Sequence, residues 1–323
     1  MQGGGGRAEQ AFTMAGILLS LTIIGVVAAI TLPSLTGNIN ERTWNTQRKA
    51  LYARMSQAIA LMPALNGYGT LIEGNESTSA VDTAAETFVT AGLSKVLKIN
   101  NICDSEHLSD CGIPAKITTL NNDVISNFNT SPYNTLVGFN EMFNGRSGEF
   151  SYSQLDTKAA AFETKNSESI VVYYNPNCVA DMGENFRHYT QPKMCANFVY
   201  DLNGNKGPNT VGKDIGFISV LYPSDSVIVA PMPLSKNAGS SIQQINAGVN
   251  CVAQNRDSRV PNRDELASMF YNRKLLGIYN GYYWSSSVIS AGSYGDAWFQ
   301  KFEVGYRAPL IKVNTTSVRC IKR

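Results

Sequence analysis

The hydropathy pattern opens on a long apolar block. Residues 12–40 carry no charge, and the 22 residues 14–35 are almost continuously apolar. Coiled as a helix they span roughly 33 Å at ~1.5 Å per residue, enough to cross the hydrocarbon of a bilayer. The block does not end in a cut-site loop. It runs into NERTWNTQRKALYARMSQAIALM, where Trp44, Leu51, Met55, Ile59 and Met62 recur at helical spacing, with Arg42, Arg48, Lys49 and Arg54 around that stripe. One long helix is predicted, apolar in its first half and amphipathic in its second. A signal peptide fits poorly, because the leader MQGGGGRAEQA holds one Arg and one Glu and the apolar stretch is too long. A plain membrane anchor, or a helix with a further use, fits better.

Past residue 66 the pattern changes. Polar stretches alternate with the short runs 169–174, 196–202, 214–223 and 225–233, rich in Val, Ile, Tyr and Phe and bounded by Gly, Asn and Pro. These predict an antiparallel sheet, and residues 84–97 predict a short helix before the first cysteines. Residues 235–248 (SKNAGSSIQQINAG) are small and polar, the best linker candidate. After it, Pro261 and the pair Asn262/Glu265 read as a capped helix start, with Leu266, Met269 and Phe270 on one face. The predicted fold class is α+β: a long N-terminal helix packed on an antiparallel sheet, plus a C-terminal α+β unit.

Composition narrows the function. With 27 basic and 25 acidic side chains the net charge is +2, so no polycationic surface for nucleic acid is expected. The two histidines, His107 and His188, exclude a multi-His metal centre. No GxSxG, HExxH or P-loop occurs, and an enzyme is not expected. Six cysteines without a CxxC pair suit disulfides in an oxidising compartment, rather than free thiols in a cytosolic one. Nearest-neighbour pairing is expected: Cys103–Cys111, Cys178–Cys195 and Cys251–Cys320.

The run AFTMAGILLSLTIIGVVAAITLPSL resembles the N-terminus of type IV pilins and type II secretion pseudopilins. The resemblance implies cleavage of a leader, residues 1–11, by a prepilin peptidase at the Ala11–Phe12 bond, with methylation of the Phe12 amine. Thr13, Gly25 and Pro33 fall where that family has a Thr, a Gly and a helix-bending Pro. In filaments of the family the helix is locally melted, which the resemblance implies for residues 25–37. One position departs: Gly16 stands where the family carries a glutamate that neutralises the methylated amine of a neighbouring subunit. Some tip subunits lack that acid, so Gly16 favours a tip subunit, although it could equally impair assembly. The leader departs too, with four glycines and Arg7 as its single basic residue. Implied partners are the peptidase and other pilin or pseudopilin subunits. The implied locations are the inner membrane for the precursor, then an extracellular filament.

Segment 201–214, DLNGNKGPNTVGKD, resembles a strand-linking loop of pilin-like proteins. It gathers oxygen ligands on Asp201, Asn203, Asn205, Asn209 and Asp214. Asp-x-Asn-x-Asn imitates the start of an EF-hand loop, though Gly207 is one place late and no glutamate follows. Calcium is one reading, and turn chemistry alone is the other. No cofactor is required.

The order of P-x-x-x-E-L, YWSS, AWF and VRC across residues 251–323 resembles C-terminal domains of bacterial surface proteins built on the C-type lectin fold. That resemblance also implies a closing Cys251–Cys320 bridge. The short calcium-and-sugar runs of the wider fold are absent. An adaptable ligand-binding surface of Tyr279, Tyr282, Tyr283, Ser286, Ser290, Tyr294, Asp296, Gln300, Tyr306 and Arg307 is expected. The same fold serves as the display scaffold of proteins diversified by retroelements. Trp284, Trp298 and Phe302 are expected to be core. The expected organisation is a helix over 12–65, a pilin-like globular domain over 66–236 and a lectin-like domain over 237–323. The expected function is a minor, tip-located subunit for adhesion or recognition of an unidentified surface or protein ligand. The alternative is an ordinary filament subunit whose C-terminal unit is structural.

Overall fold

The computed structural model describes residues 14–66, 83–134, 158–174, 193–222, 228–278, 280–290, 292, 294–303 and 305–322. Ala11, Phe12, Cys178 and Tyr279 lie outside them. Helix α1 is Met14–Asn66, helical through Gly16, Gly25, Pro33 and Gly37. The chain falls into two compact units, one ending at Gln47 and one running Arg48–Arg323.

In the first unit Leu18, Leu21, Ile23, Ile24 and Val26 are 56–64% exposed. Among the described residues no helix is long and apolar enough to cross a membrane. The described side chains of this apolar half are those of residues 18 and 21–26 alone.

The second unit is mixed α+β. Its strands are β1 Ile99–Cys103, β2 Ile117–Thr118, β3 Val124–Ile125, β4 Ala160–Thr164, β5 Ser169–Tyr174, β6 Lys193–Asp201, β7 Ile215–Tyr222, β8 Ile228–Val229, β9 Pro233–Gln243, β10 Ser258–Arg259, β11 Tyr282–Val288, β12 Asp296–Lys301, β13 Arg307–Ile311 and β14 Thr315–Lys322. The further helices are α2 Ala84–Thr87, continued by a π-turn and a 3₁₀ turn to Lys95, then α3 Gln244–Gln254, α4 Arg263–Tyr271 and α5 Arg273–Leu276.

One sheet runs β1-β4-β5-β6-β7-β8, every pairing antiparallel. Its central strands are apolar runs because both faces are covered. Strand β5, SIVVYY, is buried at every position. Alternate residues therefore serve two cores. Ala161, Val171, Tyr173, Val199 and Phe217 join one cluster. On the other face Phe88 stacks on Tyr174 with ring centroids 4.4 Å apart. From Arg48 onward α1 buries Leu51, Met55, Ala58, Ile59 and Met62, and a Cβ on Gly92 would sit 2.5 Å from Met62 Cε. Polar contacts fix this half of the helix: Arg54 pairs with Glu168, and Tyr52 donates to the Ile228 carbonyl at 3.2 Å.

The second sheet runs β10-β14-β11-β12-β13, with β9 also on β14. Segment 235–248, expected as a linker, is the end of β9 and the start of α3. Its Ser, Gly and Asn residues dilute the apolar signal. Strand β14 supplies its partners, from Ile321 opposite Pro233 to Thr315 opposite Gln243, and Leu234, Ala238 and Ile242 pack on the core of this sheet. Helix α4 starts with the expected capping box: the Asn262 side chain accepts from the Glu265 backbone, and the Glu265 carboxylate accepts from Asn262 N at 2.8 Å.

A single apolar cluster contains Met194, Phe217, Leu221 and Val229 of the first sheet together with Leu266, Met269, Phe270 and Tyr271 of α4. Residues on both sides of position 236 thus share one core. Disulfides Cys103–Cys111 and Cys251–Cys320 are formed. Cys195 is also disulfide-bonded, and its expected partner Cys178 is outside the described residues.

Candidate functional site

Tyr283, Gln300 and Arg307, expected on a binding surface, lie inside the fold at 7%, 1% and 7% exposure. Strand alternation turns Tyr283 inward, its ring edge-on to Phe302 with centroids 4.8 Å apart. Burial pushes its hydroxyl above the usual tyrosine range. The Arg307 guanidinium lies 5.9 Å from the Trp298 ring centre and 4.0 Å from Asp264 Oδ1. Arg263 approaches the same ring at 5.3 Å. Trp284, Trp298 and Phe302 are buried, as expected, and Trp284 Nε1 donates to the Ile242 carbonyl at 2.8 Å.

The residues that do reach solvent form two groups rather than one. The length of β12 separates them, about 17 Å for five residue steps of ~3.3 Å. At one end Tyr282 stands opposite Lys301 in register, with Nζ 5.4 Å from the tyrosine ring centre. Phe299 bridges Tyr282 and Tyr306 at 5.7 and 6.1 Å between ring centroids. The Glu303 carboxylate, 2.8 Å away, holds the Lys301 ammonium above its ordinary pKa, with Tyr282 adding to the effect.

At the other end is the turn that joins β11 to β12. Ser290 Oγ accepts from Asp296 N at 2.8 Å. The ammonium of Lys312, 6% exposed, donates to the carbonyls of Ser290 and Gly292 at 2.8 and 3.1 Å. A buried cation thus pins the turn and leaves Val288, Ile289, Tyr294 and Ile311 outside, Tyr294 at 84% exposure. Nothing in the sequence marks Lys312 for this role. Ser286 lies between the groups and is exposed, its hydroxyl donating to the Pro261 carbonyl at 3.2 Å.

The β6–β7 connection holds the expected oxygen-rich residues at one sheet end, where Asp201 faces Ile215 in register. Asp214 is fully buried and staples the loop, each carboxylate oxygen accepting one backbone N–H, from Asn209 and from Thr210, both at 2.8 Å. Asp201 is 3% exposed, and its Oδ1 accepts from Asn203 N at 3.1 Å. Burial, with the Asp214 charge adding to it, pushes the Asp201 carboxyl up to about 7 against its backbone hydrogen bonds. Asn203 Nδ2 donates to the Gly207 carbonyl at 2.8 Å. Buried and without a hydrogen-bond partner are Asp201 Oδ2, Asn203 Oδ1 and Asn209 Oδ1. Asn205 is exposed. Arg48 ties down the far end of the loop, donating to the carbonyls of Gly212, at 3.2 Å, and Lys213.

A scan against protein-family models finds no match to this chain, and a search of curated proteins finds none either.

Proposed function

We propose that this chain is a minor subunit of a type IV pilus or pseudopilus, carried at or near the filament tip, whose C-terminal strands present a recognition surface. The observation that supports it most is the division of labour along α1. From Leu51 to Met62 its apolar stripe is buried within the sheet-bearing unit, while Leu18, Leu21, Ile23, Ile24 and Val26 expose apolar surface. A helix half that is apolar all round needs lipid or other helices. In this reading it rests in the inner membrane after synthesis and packs among neighbouring subunits after assembly, with prepilin peptidase acting at Ala11–Phe12.

The C-terminal strands with α3 and α4, closed by Cys251–Cys320, are read as a lectin-like unit that does not need calcium for recognition. Two features favour the tip. A subunit with Gly16 cannot neutralise the amine of a neighbour, and a buried charge left unpaired costs several kcal/mol. Extra bulk on every subunit would also crowd a helical lattice.

The test is mass spectrometry of the mature N-terminus, from membranes and from sheared surface filaments. A chain beginning at methylated Phe12, recovered in filaments at a low ratio to the main subunit, is expected. A chain retaining Met1, or cut near Ala28, would overturn the filament reading. Stoichiometric recovery would make it an ordinary subunit.

A further inference from the structure

We propose that the β6–β7 loop is a calcium site, with Asp201 Oδ2, Asn203 Oδ1 and Asn209 Oδ1 as its side-chain ligands. The inference does not depend on the filament reading, because it rests on an imbalance of donors and acceptors within the loop.

Three acceptor oxygens in one connection are buried and unpartnered. A buried polar atom left unmatched costs about 1–3 kcal/mol, so each of the three calls for a partner, and one ion could serve all three. That partner has to be positive or a donor, since each orphan is an oxygen. No donor among the described residues provides it. Lys206 and Lys213 are exposed, and neither donates to the three oxygens. Arg48 is spent on the carbonyls of Gly212 and Lys213. The donors of the loop are committed elsewhere: Asn203 Nδ2 to Gly207, and the N–H groups of Asn209 and Thr210 to Asp214.

The rest of the loop behaves as a preformed frame. Asp214 fixes residues 209 and 210, and Asn203 clamps the 203–207 turn, so Asn203 and Asn209 are held without using their carbonyl oxygens. Oxygen-only ligands that mix a carboxylate with neutral amide carbonyls suit a hard cation of flexible coordination. Calcium accepts six to eight oxygens, and water can complete the shell. Magnesium needs a tighter octahedron and gives up its waters reluctantly.

The alternative partner is ordered water, and the experiment separates the two. The full-length protein in detergent would be titrated with calcium chloride by calorimetry, and its melting followed in EDTA, in about 10 mM calcium and in about 10 mM magnesium. These levels exceed the ~10⁻⁴–10⁻³ M range of extracellular calcium modules. One binding event is expected, with Tm raised by calcium more than by magnesium. Asp201→Asn should weaken binding at least tenfold. Asn203→Asp gives a second reading that survives if Asp201→Asn folds poorly. An added carboxylate should lower Tm in EDTA and tighten calcium binding several-fold. Asp257→Asn, at an exposed position outside the loop, should bind as the parent does. Absence of a calcium heat and of a Tm shift would assign the three oxygens to water and overturn the site. So would binding that neither loop variant alters.

Discussion

The side-chain amides of Asn197 and Asn272 bond each other in both directions, Nδ2 to Oδ1 at 2.9 Å and 3.1 Å. Ser219 Oγ donates to Asn197 Oδ1 at 2.8 Å and lies 2.7 Å from Ser268 Oγ, and Asn272 Nδ2 also reaches the Ser268 carbonyl at 2.9 Å. All four residues are at most 1% exposed. The network joins β6 and β7 to α4 and its C-terminal end, so a polar seam inside a shared apolar core fixes how the helix meets the sheet. Fully satisfied networks of this kind specify a unique packing.

Asn272→Ala would orphan the Asn197 amide in the core, and about 1–3 kcal/mol is expected per unmatched group. Chemical denaturation should show that loss, and Asn197→Ala should cost a similar amount. The double variant should cost less than the sum, because the second substitution removes a group that the first has already stranded. Additive losses would mean that the two amides do not act as a pair.

The disulfides should differ in weight. Cys251–Cys320 closes a sequence separation of 69 residues and Cys103–Cys111 one of 8. In the chain-entropy model these correspond to roughly 4 and roughly 2.5 kcal/mol. Replacing both cysteines of the first pair by Ala should therefore lower stability more than the same change at the second, read from denaturant midpoints on otherwise oxidised protein. The reverse order would show that local packing outweighs loop closure here.

Strongly periodic or capped segments were legible in the sequence. The run SIVVYY is β5 from end to end, and Asn262/Glu265 opens α4 as expected. The stripe Leu51, Met55, Ile59 and Met62 is the buried face of α1 after Arg48. Strand β9 was not legible, because its apolar positions are sparse and its hydrogen bonds come from β14, about 80 residues later. The shared core across position 236 was hidden for the same reason: Phe217 and Phe270 each read as the inside of its own domain. In the C-terminal sheet, residue type suggested surface for Tyr283, Gln300 and Arg307. Tyr, Gln and Arg bury readily when a ring, a strand partner or a carboxylate receives them, and composition does not encode those partners. The 201–214 loop was legible as a set of oxygens, but which of them the backbone uses was not. Asp214 is a staple, and Asn209 keeps a free carbonyl oxygen.

His107 offers a pH-dependent test. Its Nδ1 lies 2.8 Å from Asp104 Oδ1, and this hydrogen bond, with the Asp104 charge, raises the imidazole above its ordinary value. Despite some desolvation, hydrogen bonds from His107 and from the Glu106 and His107 backbone hold Asp104 below its own ordinary value. The raised histidine contributes stability that is complete below its unfolded pKa and lost as pH rises through the folded value. The depressed aspartate contributes stability that is present above its unfolded pKa and lost as pH falls through the folded one. The pair is therefore most favourable at about pH 4–6.5, between the two unfolded values. NMR titration should place the His107 midpoint above about 6.5, and Asp104→Asn should bring it down. An unchanged midpoint would show that the pair does not form in solution. Both groups are well exposed, so little effect on global stability is expected.

The tyrosines of the C-terminal sheet test which of its positions are free to vary. Tyr282, Tyr294 and Tyr306 are 46%, 84% and 42% exposed, whereas Tyr283 is 7% exposed against Phe302. Loss of a buried aromatic side chain costs about 3–5 kcal/mol. An exposed substitution away from special features usually stays within about 0.5 kcal/mol. Tyr283→Ala should thus lower Tm clearly, while Tyr294→Ala should leave it nearly unchanged because Lys312, not Tyr294, holds the turn. Tyr282→Ala and Tyr306→Ala should fall between, since each gives up a ring contact with Phe299. A recognition surface that tolerates change needs this separation, in which the framework carries the stability and the displayed residues carry little. If Tyr294→Ala destabilised as much as Tyr283→Ala, the turn would be part of the framework and the proposed recognition surface would shrink to the Tyr282 and Tyr306 end of the sheet.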